Sequence, residues 1–345
     1  MKNLREVNLK EKRVLVRCDF NVPLDERGQV LDDFRIKKTI PTIQYLIGQG
    51  ARVILMSHLG RPDGKVVESL RLTPIQNKLM EYLDLSVAKA PDCIGPEIEK
   101  QTKEMGPGEV FLLENLRFHK EEEGNDDGFA KNLAELGEVY INDAFGVSHR
   151  AHASIVGVPI YLPSAAGLLL EKEIKVLGNL RENPKKPLIV IIGGAKVETK
   201  AGLINKMSEV ADFVLIGHLI KKEVEEKEIK LDHPEKIISP VDGPGGKDIG
   251  LKTVELFKEK ISAAKTVFFN GVLGKVEEES FSKGTEEILK AIAESRAFSV
   301  LGGGDMTKVI AKLGLTDKFS HISTGGGAMI AFLAGEKLPG LEVLK

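Results

Sequence analysis

The chain of 345 residues has no tryptophan, and aromatic residues make up only 5% of it. It therefore offers few flat rings on which nucleic-acid bases could stack, and no nucleic-acid partner is expected. Its two cysteines, Cys18 and Cys93, are too few for a disulfide framework, so reduced intracellular thiols are expected. Forty-nine basic against fifty-one acidic residues leave a net charge of −2, with no general attraction to nucleic acid or membrane. No apolar stretch approaches membrane-spanning length, and the opening MKNLREVNLKEKRVLV lacks the apolar core of a signal peptide. A soluble, cytoplasmic monomer is the expectation. Also missing are a GxxxxGK[ST] loop and a proper GxGxxG fingerprint, which removes ordinary P-loop and dinucleotide-binding readings.

What is present reads as a folded protein: 42% hydrophobic and 29% charged residues, over a length that suggests two cores. Short runs of Val, Ile, Leu and Phe alternate with helical patterns, which predicts βαβ units and mainly parallel sheets, an α/β fold. A continuous run such as Pro187-Leu188-Ile189-Val190-Ile191-Ile192 suits a strand buried on both faces. Thr73-Pro74 reads as an N-cap followed by proline, ahead of a helical face of Ile75, Leu79 and Leu83. Ser164 is expected to open a longer helix that fades near Asn179, before the polar break Glu182–Pro187. KKEVEEKEIK, from Lys221, reads as a solvated helix or hairpin and then a loop.

The predicted strand ends fall into two kinds. In the first half, apolar runs end in Arg17, in His58 and Arg61, and in Arg117. In the second half they end in Gly193-Gly194, Gly302-Gly303-Gly304 and Gly325-Gly326-Gly327. In a parallel sheet such ends converge on one edge, where ligands bind. Guanidinium groups grip phosphate or carboxylate oxygens with paired hydrogen bonds. Arg17, Arg35, Arg61, Arg117 and Arg150 with His58 therefore suit a small, highly anionic molecule, and Asp19 and Asn21 could orient its hydroxyl. One such arginine alone reads as a salt-bridge partner; the set carries the site. His149 and His152 form an HxxH pair without further ligands at metal spacing, and helix-start hydrogen bonding is expected of them. Glu121-Glu122-Glu123 reads as a solvated loop.

Glycine lets backbone N–H groups approach phosphate oxygens, and a helix start adds partial positive charge. Lys196 and Lys200, four apart, are expected to share one face of the helix that follows and to reach a transferring phosphoryl group. Asp305, directly after its glycine triplet, is placed to hold Mg²⁺ against nucleotide phosphates.

Taken together, these segments resemble the phosphoglycerate kinase family. They are Arg17-Cys18-Asp19-Phe20-Asn21-Val22-Pro23, Ser57-His58-Leu59-Gly60-Arg61-Pro62, Leu113–Phe118, Asn142–Gly146 with His149–Ser154, Gly193–Val197, Gly302–Asp305 and Ser323–Ala328. The resemblance implies two Rossmann-like three-layer αβα domains facing across a hinged cleft. By position, residues 1–163 would bind phosphoglycerate, 164–186 would form a connecting helix and linker, 187–330 would bind nucleotide, and 331–345 would be a tail returning to the first domain. It implies reversible phosphoryl transfer between 1,3-bisphosphoglycerate and ADP, giving 3-phosphoglycerate and ATP, with Mg²⁺, in glycolysis and gluconeogenesis. Asp19, Asn21, Arg35, His58, Arg61, Arg117 and Arg150 match the family's phosphoglycerate-binding positions. Lys196, Lys200, Asn270, Glu277 and Asp305 match its nucleotide and metal contacts. Arg35 and Lys200, helped by the amides of Gly303 and Gly326, are expected to act in catalysis. The second half is a short form: chain is missing between Ile216 and Asp248, and Gly217 is followed by His218-Leu219-Ile220. Val272 stands where the family has proline, Lys275 and Val276 where it has apolar residues, and Met306 where it has a hydroxyl. These changes fall around the adenine and sugar. A non-catalytic phosphoglycerate sensor, or a kinase using another phosphoryl donor, remains an alternative.

Overall fold

A computed structural model describes residues 2–194 and 197–344. The chain divides into two units, one of residues 1–174 and 337–345, the other of residues 175–336. The division falls inside the helix Leu168–Glu182.

The first unit holds a six-stranded sheet built from β1 (Arg13–Arg17), β2 (Arg52–Met56), β3 (Val87–Lys89), β4 (Val110–Leu112), β5 (Val139–Asn142) and β6 (Ser164–Ala166). Its order is β3-β4-β2-β1-β5-β6, and every pairing is parallel. The chain steps outward from β1 to one side and then returns to β5 on the other. The strand order thus reverses at β1, which opens a crevice at the carboxyl edge. Val14, Val16, Val53 and Leu55 are buried against Ile36, Ile43 and Leu46. Those three lie on one face of the helix Phe34–Gly48, as a 3.6-residue period requires. Residues 337–344 pack on this unit: Gly340 N–H donates to the Ser148 carbonyl at 2.9 Å, and Asn142 Nδ2 donates to the Gly340 carbonyl at 3.2 Å.

The second unit holds β7 (Leu188–Ile192), β8 (Phe213–Ile216), β9 (Ile237–Ile238), β10 (Thr266–Asn270), β11 (Phe298–Gly302) and β12 (His321–Ser323). Their order is β12-β11-β10-β7-β8-β9, again all parallel. Leu188 to Ile192 are all buried, as the continuous apolar run requires of a central strand. Here the order reverses between β7 and β10. The helix His218–Glu226 and the two-residue strand β9 form the short edge of this sheet.

Two local expectations change. Ser164 does not open a helix: Ser164–Ala166 pairs with Tyr140–Asn142 as an edge strand, and the helix starts at Leu168 and runs on to Glu182. Its start is capped from elsewhere in the chain, by Asp143 Oδ1 accepting from Leu169 N (2.9 Å) and Leu170 N (3.3 Å). Burial pushes the Asp143 carboxyl up to about 7, against these hydrogen bonds. Thr73 is the first helical residue and not the cap, which is Leu72.

Candidate active site

In the first unit the sequence-predicted residues gather at the carboxyl edge of the sheet. Asp19 and Asn21 follow β1, His58 and Arg61 follow β2, Arg117 follows β4 and Arg150 follows β5. Arg35 comes from the first turn of the helix Phe34–Gly48 and donates to the Asn21 carbonyl at 2.7 Å, with Asp19 Oδ2 at 3.5 Å. The Asn21 amide oxygen accepts from Gly60 N–H at 2.9 Å, which ties the loops after β1 and β2 together. Arg117 is 4% exposed; its Nη1 donates to the Gly60 carbonyl at 2.8 Å and its Nη2 lies 3.1 Å from Glu123. Its buried Nε has no hydrogen-bond partner. Arg61 is exposed and Arg150 half-buried, and neither side chain is engaged by the described residues. Guanidinium groups with free donors at a strand edge can take phosphate or carboxylate oxygens.

Arg17 departs from the expected role of a surface grip. Its side chain is completely buried, and its guanidinium is taken up by protein: Nε donates to Ser154 Oγ at 2.7 Å, Nη1 to the Cys18 carbonyl, and Nη2 lies 3.6 Å from Glu122. It is a strut under the site. Glu122, expected in a solvated loop, is fully buried and accepts from both Ser154 N (2.9 Å) and Ser154 Oγ (2.6 Å). No local pattern separates it from Glu121 and Glu123; its partners come from distant strand ends. His152 heads the helical turn Ala153–Gly157 but makes no cap hydrogen bond. It is buried beside Arg17 and Arg117, and burial with those charges pulls it down to about 3. His58 is likewise held well below the usual imidazole range, first by burial and then by Arg17, Arg117 and Arg35. Both histidines are therefore neutral, and the positive charge of the edge resides on arginine.

In the second unit the glycine turns also meet at the carboxyl edge. A Cβ on Gly193 would run into the Val272 carbonyl, so the chain after β7 lies directly against the chain after β10. Gly193 N–H donates to Asn270 O at 2.9 Å, and Gly194 N–H to Val272 O at 2.6 Å. Asn270 Nδ2 donates to Gly302 O at 3.2 Å, while its buried Oδ1 has no partner. Gly303, at φ +124°, turns the chain from β11 into the helix Gly304–Lys312, a conformation that L side chains rarely adopt. Gly325 N–H donates to Ser323 Oγ at 3.0 Å, and Gly326 precedes the helix Gly327–Leu333.

Lys200 does not sit on the face of a helix. It is the residue before the helix Ala201–Val210, and its ammonium is drawn inward to donate to the Gly193 carbonyl. It is 7% exposed, and burial lowers it to about 8. Lys196 lies outside the described residues. Asp305 is in the first turn of its helix, exposed, with Lys308 at 3.1 Å as its only ion-pair partner among the described residues. Glu277 is exposed in the loop after β10.

Comparison with known proteins shows the family. A family model described as phosphoglycerate kinase matches residues 4–224 and 218–336. The phosphoglycerate kinase of Dictyoglomus turgidum is 47% identical over 389 residues, covering 99% of this chain and 98% of its own. That of Moorella thermoacetica is 44% identical over 386 residues, with 99% and 98% covered. Both alignments are longer than the chain itself, so these relatives hold residues that have no counterpart here. Among solved structures, phosphoglycerate kinase from Pyrococcus horikoshii OT3 superposes with a TM-score of 0.89 at 34% identity, covering 100% of this chain and 98% of its own. Arginine-bearing strand ends in one unit, glycine-bearing ends in the other, and these full-length matches converge: the chain belongs to the phosphoglycerate kinase family.

Proposed function

We propose that the chain transfers a phosphoryl group reversibly between 1,3-bisphosphoglycerate and ADP, with the first unit's arginine edge holding phosphoglycerate and the second unit's glycine edge holding nucleotide. The observation that most supports this assignment is the contrast between the two edges. Unengaged guanidinium groups stand on the first edge, and glycine turns with a buried lysine, its affinity for a proton lowered, stand on the second.

In the direction of ATP synthesis, a β-phosphate oxygen of ADP attacks the acyl phosphorus. The new O–P bond forms as the bond to the carboxylate oxygen of 3-phosphoglycerate breaks, and no proton is transferred. No side chain needs to ionise, so positioning and charge stabilisation supply the acceleration. Arg35 and Lys200 cover the charge on the moving phosphoryl group, with the amides of Gly303 and Gly326 helping. Arg61, Arg117 and Arg150 hold the far phosphate, while Asp19 and Asn21 orient the hydroxyl. His58 and His152, neutral, can each donate or accept one hydrogen bond without adding charge. Asp305 is an exposed, hard oxygen donor in a helix's first turn, a donor type that suits Mg²⁺ bound by one carboxylate and nucleotide phosphates. When bound there, Mg²⁺ would neutralise the nucleotide end. The retained Lys200 and Asp305 favour an enzyme over a binding-only sensor, which would need neither.

A coupled assay with 1,3-bisphosphoglycerate and a panel of nucleoside diphosphates tests the reading, and failure with every acceptor would overturn it. In the same assay Arg35→Ala is expected to lower kcat by about 10²- to 10³-fold, the loss typical of one charge-stabilising donor. Calorimetric affinity for 3-phosphoglycerate should change far less. A variant that lost only affinity would remove Arg35 from the transition state.

A further inference from the structure

Outside the site just described, the first unit brings together three side chains of metal-ligating type. Asp92 and Cys93 lie between β3 and the helix Pro96–Glu104, and His119 follows the turn Leu116–Phe118 after β4. Strands β3 and β4 are neighbours, with Lys89 opposite Leu112, so their outgoing loops share one corner of the carboxyl edge. The ligand atoms of the three residues lie within 4.8 Å of one another, the one such grouping among the described residues. Two donors on a tetrahedral zinc stand about 3.5 Å apart, so small side-chain rotations would close the set.

We propose that Asp92, Cys93 and His119 form a site for one borderline-soft divalent cation of the Zn²⁺ type, with the fourth position open to water. A thiolate, an imidazole and a carboxylate together favour zinc over magnesium or calcium, which take oxygen ligands. The site is pre-shaped. Asp92 Oδ1 meets His119 Nε2 at 2.6 Å and also accepts from Cys93 N–H at 2.7 Å, so one carboxylate already gathers the other two residues. The His119 ring is seated against Phe129, with centroids 5.3 Å apart. Cys93 is buried while the Asp92 side chain is 48% exposed, which leaves an entry path on the aspartate side. A bound cation would replace the hydrogen bond between Asp92 and His119 and tie the β3 loop to the turn that carries Arg117. The alternative is a plain Asp–His pair beside an inert thiol.

The test uses the full chain, stripped with a chelator and titrated with Co²⁺. One equivalent should bind with a thiolate-to-cobalt charge-transfer band in the near ultraviolet, and Zn²⁺ should displace it. Cys93→Ser should abolish that band, and Cys93→Ser and His119→Gln should each weaken Co²⁺ binding at least tenfold. Cys18→Ala should keep the band. Should either core variant fail to fold, exposed Asp92→Asn carries the same expectation of at least tenfold weaker binding. Absence of the band in the parent chain, its survival in Cys93→Ser, or unchanged Co²⁺ affinity in the His119 or Asp92 variant overturns the proposal.

Discussion

Replacing Lys200 with methionine is expected to lower turnover by about 10³-fold, the loss seen when a cation facing a transferring phosphoryl group is removed. The same change should make the free protein more stable. Lys200 is nearly buried, with its ammonium donating to one backbone carbonyl and no carboxylate against it among the hydrogen bonds and ion pairs of the described residues. Burial holds it near 8, against 10.5 for a free lysine. Below pH 8 both folded and unfolded chains carry the proton, and the folded state bears the full cost of a desolvated charge. That cost is about 3 kcal/mol at most, at 1.36 kcal/mol per pKa unit. As pH rises from 8 to 10.5 the folded chain releases its proton first, so stability increases across that window. Methionine, of similar length and without charge, should remove both the cost and this rise. Urea unfolding at pH 7 and pH 10, beside the coupled assay, would show it. A variant that is inactive and also less stable at pH 7 would mean that the Gly193 contact matters more to the fold than the charge does to the chemistry.

Glu122→Leu should destabilise the first unit by about 3–5 kcal/mol, because it leaves the wholly buried Arg17 without its carboxylate. It also strips Ser154 of both acceptors for its N–H and hydroxyl. Arg17→Met in the same background should restore much of that loss, since an apolar pair of similar volume needs no compensation. Chemical unfolding of the two single variants and the double variant measures the coupling. Equal, additive losses would show that Glu122 and Arg17 do not depend on each other. A related outcome concerns binding. Arg17 borders His58 at 3.4 Å, so the Glu122 variant should also weaken 3-phosphoglycerate binding although Glu122 is 0% exposed.

Much of the fold and site was legible along the chain because it depends on short-range pattern. The continuous apolar run at Leu188–Ile192 announces a doubly covered parallel strand, and glycine runs after such strands announce turns. Arginine and histidine after the first-half strands gather at one edge, since parallel strands bring all their carboxyl ends together. Segment order alone was enough to point to the family.

Only the tertiary structure decided which of those residues face outward and what each one carries. Arg17 and Arg61 read alike in sequence, yet one is a buried strut and the other is exposed, because Glu122 and Ser154 arrive beneath β1 from another part of the chain. Ser164 reads as a helix opener and becomes a strand because β5 offers it an unpaired edge. Lys200 reads as a helical lysine, and the approach of the chain after β10 turns it inward and lowers its affinity for a proton. Burial and charge are set by neighbours in space, which sheet register brings together and which spacing along the chain does not encode.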